Sequence, residues 1–507
     1  MIIYFTAWDT RGSGNQEIAM ALKTRKDYLD SLRKMRPNIY KFGKLLDDVT
    51  THPATKRTVE SHCLSFDASN DPELSDMYTT TSTFTGNKIH RWNSMMQKTE
   101  DLIGNMALKR QNYRRTGTCS GAVCVGWNAQ NVLWAVTQEI DAKFGTSYQS
   151  RLKDWIIKSE EAGLTVAGAL TDAKGDRSLK PSQQVNLDVN LRVVAVREDG
   201  IVIRGAKVMI CGTAASQEIF LLPGGIYAEE DKDFALACVV PRDIKGLTII
   251  EATRPSDLRD LEDEDANEVP NTGITQGILL FNDVFVPNER VFMCGEYEFT
   301  KSLIQYFTAN YRACIGACVA GQGDVMIGAS TLMARANGLS VKPFTDKLVT
   351  MSINNQINFG LGVGACSLGK LHPSGSFFAD PLTAHTNKVM VATLPYETKR
   401  LTQEIGGGMV ETGCMPSAKD FANPEYGDLL RLYYRAGPVS GESRIKVARL
   451  SEWLTIGGGV PGCMHGGGSP DGAKLTVRFA TPIEEYAEYA RKLMGIEEQF
   501  PEPQKKK

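Results

Sequence analysis

Gly168-Ala169-Leu170-Thr171-Asp172-Ala173-Lys174-Gly175-Asp176-Arg177 stands between a helical first third of the chain and a run of strands. Glycines and short polar residues allow a backbone to approach a ligand without side-chain obstruction. Lys174 and Arg177 supply charge suited to a phosphate or an anionic ring, and Thr171 and Asp172 can hydrogen-bond the edge of a flat heterocycle. A polar junction that merely caps a helix would have the same composition, so the flanking segments must decide between the two.

Upstream, apolar residues recur at helical spacing from Leu22 to Gly145, as in Tyr28, Leu29 and Leu32, then Leu102, Ile103 and Met106, then Val132, Leu133 and Val136. Downstream the pattern switches. Residues 191–196, 201–204 and 234–240 are short runs rich in β-branched residues, Asp199-Gly200 marks a tight turn, and 279–287 returns to strand. The acidic segment Asp257 to Glu268 reads as a solvated loop. From Phe299 to Gly495 helical patterns dominate, broken by Gly and Pro clusters at 406–408, 457–462 and 466–470. The expected architecture is α+β: an extension over 1–20 with little structure, an N-terminal helical domain over 21–165, a small, largely antiparallel β-domain over 166–294, a C-terminal helical domain over 295–497, and a solvated tail over 498–507.

With 507 residues, 42% hydrophobic and 23% charged, the chain has ample core. A net charge of -2 argues against a nucleic-acid binder. No apolar run approaches the ~20 residues needed to cross a bilayer, and the first residues lack a signal peptide's pattern, so a cytoplasmic protein without membrane contact is expected. Eleven cysteines are too sparse for a disulfide scaffold; they are expected to be thiols, metal ligands or core.

The segments 171–177, 197–207, 282–290, 323–329 and Met464-His465-Gly466-Gly467-Gly468-Ser469-Pro470, in that order, resemble the family of 4-hydroxybutyryl-CoA dehydratase and the 4-hydroxyphenylacetate 3-hydroxylase oxygenases, from about residue 22 to 496. The resemblance implies an acyl-CoA-dehydrogenase-like subunit that binds FAD between the β-domain and the C-terminal helical bundle. It also implies a homotetramer, a small-molecule substrate and, for the oxygenase branch, a flavin reductase partner. Carried over by position, cofactor contacts fall on Thr171, Lys174, Gly175, Asp176, Arg177, Gly212, Thr213, Gly467 and Ser469, with His465 in the closing loop.

The dehydratase branch adds a 4Fe-4S cluster held by three cysteines and a histidine. The cysteine positions resemble Cys119, Cys124 and Cys318, and the histidine position is Tyr311. On a helix Tyr311, Cys314 and Cys318 share a face, so an all-cysteine cluster of Cys119, Cys124, Cys314 and Cys318 is one expectation and four buried small hydrophobes the other. Further family positions have changed: a glutamate is Gln276, another is Gly462, a tyrosine is Ile315 and a lysine is Val319. Tyr311, Gln276 and His465 are the candidate catalytic groups by position. Arg110, Arg114 and Arg115 are either an anion site or a solvated helix face. The leading expectation is an FAD-dependent oxidoreductase, hydroxylase or dehydrogenase, acting on a small organic or acyl-thioester substrate. A lyase or isomerase with an altered iron-sulfur cluster and a catalytically inactive paralogue are the alternatives.

Overall fold

A computed structural model describes residues 22–119, 122–173, 175–253, 271–456, 465–498 and 500, with only the backbone of Ala122 and Val123. The extension and the acidic segment Asp257 to Glu268 therefore lie outside the described residues.

The first third supplies helices α1 (Arg25–Arg33), α2 (Lys56–Asn70), α3 (Ser75–Tyr78), α4 (Thr99–Thr116), α5 (Ala122–Phe144) and α6 (Tyr148–Ala162). Tyr28 and Leu32 of α1 and Leu102 and Met106 of α4 are buried, as their spacing requires. This third is not purely helical. Strands β1 (Ile39–Lys41) and β2 (Lys44–Leu45) join the main sheet, and β3 (Thr79–Thr81) and β4 (Lys88–His90) form a separate hairpin. The β1–β2 connection is a two-residue turn with Phe42 and Gly43 both at positive φ. Strands of two or three residues are too short to display an alternating period, which is why helical spacing masked them.

Strands β5 (Val166–Ala169), β6 (Arg192–Val196), β7 (Gly200–Cys211), β8 (Glu218–Leu221), β9 (Leu236–Pro241), β10 (Leu247–Glu251), β11 (Gln276–Pro287) and β12 (Val291–Cys294) complete two sheets. One has the order β2-β1-β10-β11-β7-β6 and the other β12-β9-β8-β5. Pairing is antiparallel except between β1 and β10 and between β5 and β8.

Helices then return. They are α7 (Thr300–Ala336), α8 (Lys342–Ser367), α9 (Pro381–Val391), α10 (Leu394–Gly406), α11 (Gly408–Thr412), α12 (Ala418–Phe421), α13 (Gly427–Tyr434), α14 (Gly441–Thr455), α15 (Pro470–Ala480) and α16 (Ile483–Leu493). The stretch Tyr297–Ala336 is long and apolar enough by composition to cross a membrane, which corrects the expectation that no run approaches that length. With 78% of its apolar window buried inside the molecule, it is the core helix against which α4, α5, α8 and α9 pack.

Candidate functional site

Two close approaches between elements assemble a buried cluster of side chains, called the chamber below. A Cβ on Gly126 would stand 2.0 Å from the carbonyl oxygen of Val166, so glycine lets the start of α5 lie directly on β5. Likewise a Cβ on Gly321 would stand 2.4 Å from the carbonyl oxygen of Arg110, which lets α7 touch α4. These contacts bring Lys109 and Tyr113 of α4, Cys119, Cys124 in the first turn of α5, and Tyr311, Cys314 and Cys318 of α7 into one electrostatic neighbourhood. The β-domain closes it: Gln276 Nε2 donates to Cys211 Sγ at 3.4 Å, and Cys211 also acts on Tyr311.

Within the chamber the Cys318 thiol donates a hydrogen bond to Cys124. That bond, with the charge and hydrogen bond of Lys109, outweighs burial and brings the Cys124 thiol down to about 6. Cys318 is driven up by the same bond and by burial. Lys109 is 4% exposed, and burial alone would lower its pKa; the surrounding sulfurs of Cys124, Cys314 and Cys318 instead hold it above the usual lysine value. Burial first, then the neighbouring cysteines, keeps the phenols of Tyr113 and Tyr311 protonated far above neutral pH.

Cys314 turns elsewhere. Its thiol is lowered chiefly by its interaction with Cys366, whose Sγ donates to Met106 Sδ at 3.5 Å. Among the described residues no group of three or more His, Cys, Asp or Glu side chains is arranged to hold a metal ion. The expected set Cys119, Cys124, Cys314 and Cys318 shares one buried neighbourhood with Lys109 and Tyr311.

The glycine-rich loop lies over this chamber. Gly467, at φ +71, presses on the Tyr311 ring, which a Cβ would meet at 2.7 Å. Its carbonyl accepts a hydrogen bond from Arg312 Nε at 2.9 Å, and Arg312 Nη1 donates to His385 Nδ1 at 2.9 Å. Burial lowers Arg312 to about 10, and burial together with Arg312 lowers His385 to about 4, so His385 is the neutral acceptor of that bond. Ser469 Oγ caps α15 by accepting from Gly472 N at 3.1 Å. His465 is exposed, outside the chamber, and its carbonyl closes the turn by accepting from Gly468 N.

The stretch 168–177 borders a second, open region. A groove of about 540 Å³ is lined by Asp172, Arg177, Gln184, Asn190, Gly224 and Tyr227, among others. Asp172 is locked in its wall: Lys207 Nζ lies 2.7 Å from Asp172 Oδ1, with both side chains almost fully buried. Lys207 also donates to the carbonyls of Leu170 and Leu222, each at 2.9 Å. Thr171 is half-buried, and its carbonyl accepts from Val208 N at 2.8 Å. Gly175, at φ +54, packs beneath Gln184, while Asp176 is exposed and caps Ser178. Lys174 lies outside the described residues. Further along, Gly212 is left-handed at φ +69, and the hydroxyls of Thr213 and Thr275 are buried without a hydrogen-bond partner. Orphaned hydroxyls beside a glycine turn suit a polar heterocycle.

Arg110 and Arg114 both bind Asp324, at 2.8 and 2.6 Å, and Arg115 donates to the Leu64 carbonyl. These arginines are structural ties rather than an anion site. Motif reading missed Lys109, Tyr113, Cys211, Arg312 and His385. The one signal available was a lysine and a tyrosine four apart on the helix face that also carries Leu102 and Met106.

Residues 24–293 match the 4-hydroxyphenylacetate 3-hydroxylase N-terminal model, and residues 300–495 match the C-terminal model. The chain is 33% identical to the 4-hydroxybutyryl-CoA dehydratase/vinylacetyl-CoA-Delta-isomerase of Clostridium aminobutyricum over 94% of its own length and all of that protein. Its fold superposes on an oxygen-tolerant archaeal 4-hydroxybutyryl-CoA dehydratase from N. maritimus with TM-score 0.91 and 33% identity, covering 96% of this chain and 98% of that one. It also superposes on the oxygenase component of 4-hydroxyphenylacetate 3-monooxygenase complexed with FAD and 4-hydroxyphenylacetate, with TM-score 0.82 and 20% identity over 93% of this chain and 98% of that one. The architecture is acyl-CoA-dehydrogenase-like, and the chain belongs to the 4-hydroxyphenylacetate 3-hydroxylase family of flavoprotein enzymes, which also takes in the 4-hydroxybutyryl-CoA dehydratases.

Proposed function

We propose that the protein is an FAD-dependent oxidoreductase acting on a small organic or acyl-thioester substrate. The observation that carries the reading is the composition of the chamber among the described residues: thiols, phenols, one amide and the Lys109 ammonium, with no carboxylate or histidine among them. Removing an unactivated proton from carbon requires a positioned base. Gln276 is an amide and cannot accept the proton, and Tyr311 holds its own proton far above neutral pH. Both can donate or orient hydrogen bonds, which is enough for a redox step in which the cofactor carries the electrons.

Thr171, Gly175, Arg177, Gly212, Thr213, Gly467 and Ser469 would hold FAD, which supplies two-electron transfer when bound. The buried Thr213 and Thr275 hydroxyls would find partners in its polar edge, and Arg177 would offer charge to its phosphates. Tyr311, packed beneath Gly467, would orient the substrate and keep water out. Replacing Tyr311 with Phe is expected to lower turnover at least tenfold, a single lost transition-state hydrogen bond, while FAD retention stays unchanged. Unaltered turnover would remove Tyr311 from the mechanism.

A second reading, a dehydratase or isomerase, is favoured by the 33% identity to the Clostridium aminobutyricum dehydratase over the whole of that protein. Hydroxyacyl-CoA dehydration by iron-loaded protein would establish it in place of the first.

A further inference from the structure

Arg242 stands where the chain leaves β9, immediately after Pro241, the residue that ends that strand. Its main chain is held on both sides: the N–H donates to the Gln217 carbonyl at 2.9 Å, and the carbonyl accepts from Asn38 Nδ2 at 2.8 Å. The side chain is only 2% exposed. Burial lowers it to about 10, which leaves the guanidinium charged at neutral pH. Its bonding falls short of that charge. Nη1 donates to the Ala214 carbonyl at 2.8 Å, Nε is buried without a partner, and among the described residues no carboxylate forms an ion pair with it. A buried cation compensated by one carbonyl is strongly destabilising unless an anion completes it.

A cavity of about 220 Å³ borders this cation. Leu32, Ile39, Leu46 and Val49, all buried, give it apolar walls. The other charged groups that line it are committed elsewhere or lie at the surface. Arg36 spends its guanidinium on the carbonyls of Pro37, Asp243 and Ile244, and Arg33 bonds Thr50 and Asp30. Asp48 accepts from Thr50 N and Oγ1 at 2.7 Å each, and Asp47 is exposed. None of these residues belongs to the chamber or to the groove beside Asp172. A guanidinium set among apolar walls suits an anion with an apolar body: a carboxylate pairs with it, and the rest of the molecule needs no polar partner. Inorganic phosphate would instead turn charged oxygens toward aliphatic side chains.

We propose that this cavity binds a small organic carboxylate, its charged end on Arg242 and its apolar end among Leu32, Ile39, Leu46 and Val49. The test follows trifluoropropionate by fluorine NMR on the full-length protein as purified, with propionate, propionamide and inorganic phosphate as competitors. The expected result is saturable binding that propionate displaces. Propionamide, the uncharged isostere, competes at least about tenfold more weakly, the effect of one charge-assisted hydrogen bond, and phosphate does not compete. Arg242→Met weakens binding by the same factor or more. Because that variant also loses the tie to Ala214, a second one keeps the cation: Met35→Trp, at the half-buried edge of the cavity, fills it and abolishes binding while the circular dichroism spectrum stays unchanged. Absence of saturable binding, wild-type affinity in either variant, equal competition by propionamide, or stronger competition by phosphate than by propionate would each overturn the proposal.

Discussion

The chamber and the groove are built from the same residue classes and treat charge in opposite ways. In the chamber, Lys109 is satisfied by sulfurs that can gain or lose a proton or an electron, so its charge balance is adjustable. In the groove wall, Lys207 is bound to Asp172 and two carbonyls, a fixed arrangement, while Arg177 at the mouth is exposed. The difference separates the part of the site suited to chemistry from the part suited to holding a cofactor. A buried cation beside thiols tunes reactivity; a buried cation beside a carboxylate shapes a wall.

The contrast is broken most severely at Lys207. Lys207→Met leaves a buried carboxylate unpaired and is expected to cost about 3–5 kcal/mol of stability, read by denaturant unfolding. A loss below 1 kcal/mol, the range of exposed ion pairs, would show that the wall is not held by this pair.

Acid attacks the other side of the comparison. His385 has a folded-state pKa of about 4, below its unfolded value of ~6.5. Its neutral form is therefore the one that folding favours. Above pH ~6.5 its contribution is intact; as pH falls toward 4 the unfolded chain binds the extra proton and roughly 3 kcal/mol is lost. Protonation would also remove the acceptor for Arg312, which holds the Gly467 carbonyl over Tyr311. Stability measured between pH 7 and 4 should slope downward with acid, and His385→Asn should flatten part of that slope. An unchanged slope would remove His385 from the account.

The smallest expected effect sharpens the role of the groove mouth. Arg177→Ala should leave unfolding unchanged, since the side chain is exposed. It should weaken FAD retention about tenfold, the ~1.4 kcal/mol of one charge-assisted contact, read by equilibrium dialysis. Equal retention would move the phosphates elsewhere.

Much of the fold was legible in the sequence because long elements display their periods. Tyr28 and Leu32, Leu102 and Met106, and the runs at 192–196 and 279–287 all lie in the elements their spacing implies. The strands at 39–41 and 44–45 were illegible, since β1 finds its partner β10 some two hundred residues away and β2 pairs only with β1. At the site, the family resemblance implied that Tyr311, Cys119, Cys124 and Cys318 would be neighbours. It did not reveal that Cys314 turns toward Cys366, because an i, i+4 pair shares a face while each thiol still selects its own partner. Lys109 escaped notice for a related reason: a lysine on a helix reads as solvent-facing until the packing of Gly321 against Arg110 shows that it is enclosed.

The most direct test of the central claim, a flavin-dependent oxidoreductase, is a visible absorption spectrum of anaerobically purified protein with iron and acid-labile sulfide assayed on the same sample. The account predicts flavin bands with no iron. Flavin accompanied by about four irons per chain, the content of one such cluster, would contradict it and make hydroxyacyl-CoA dehydration the leading function.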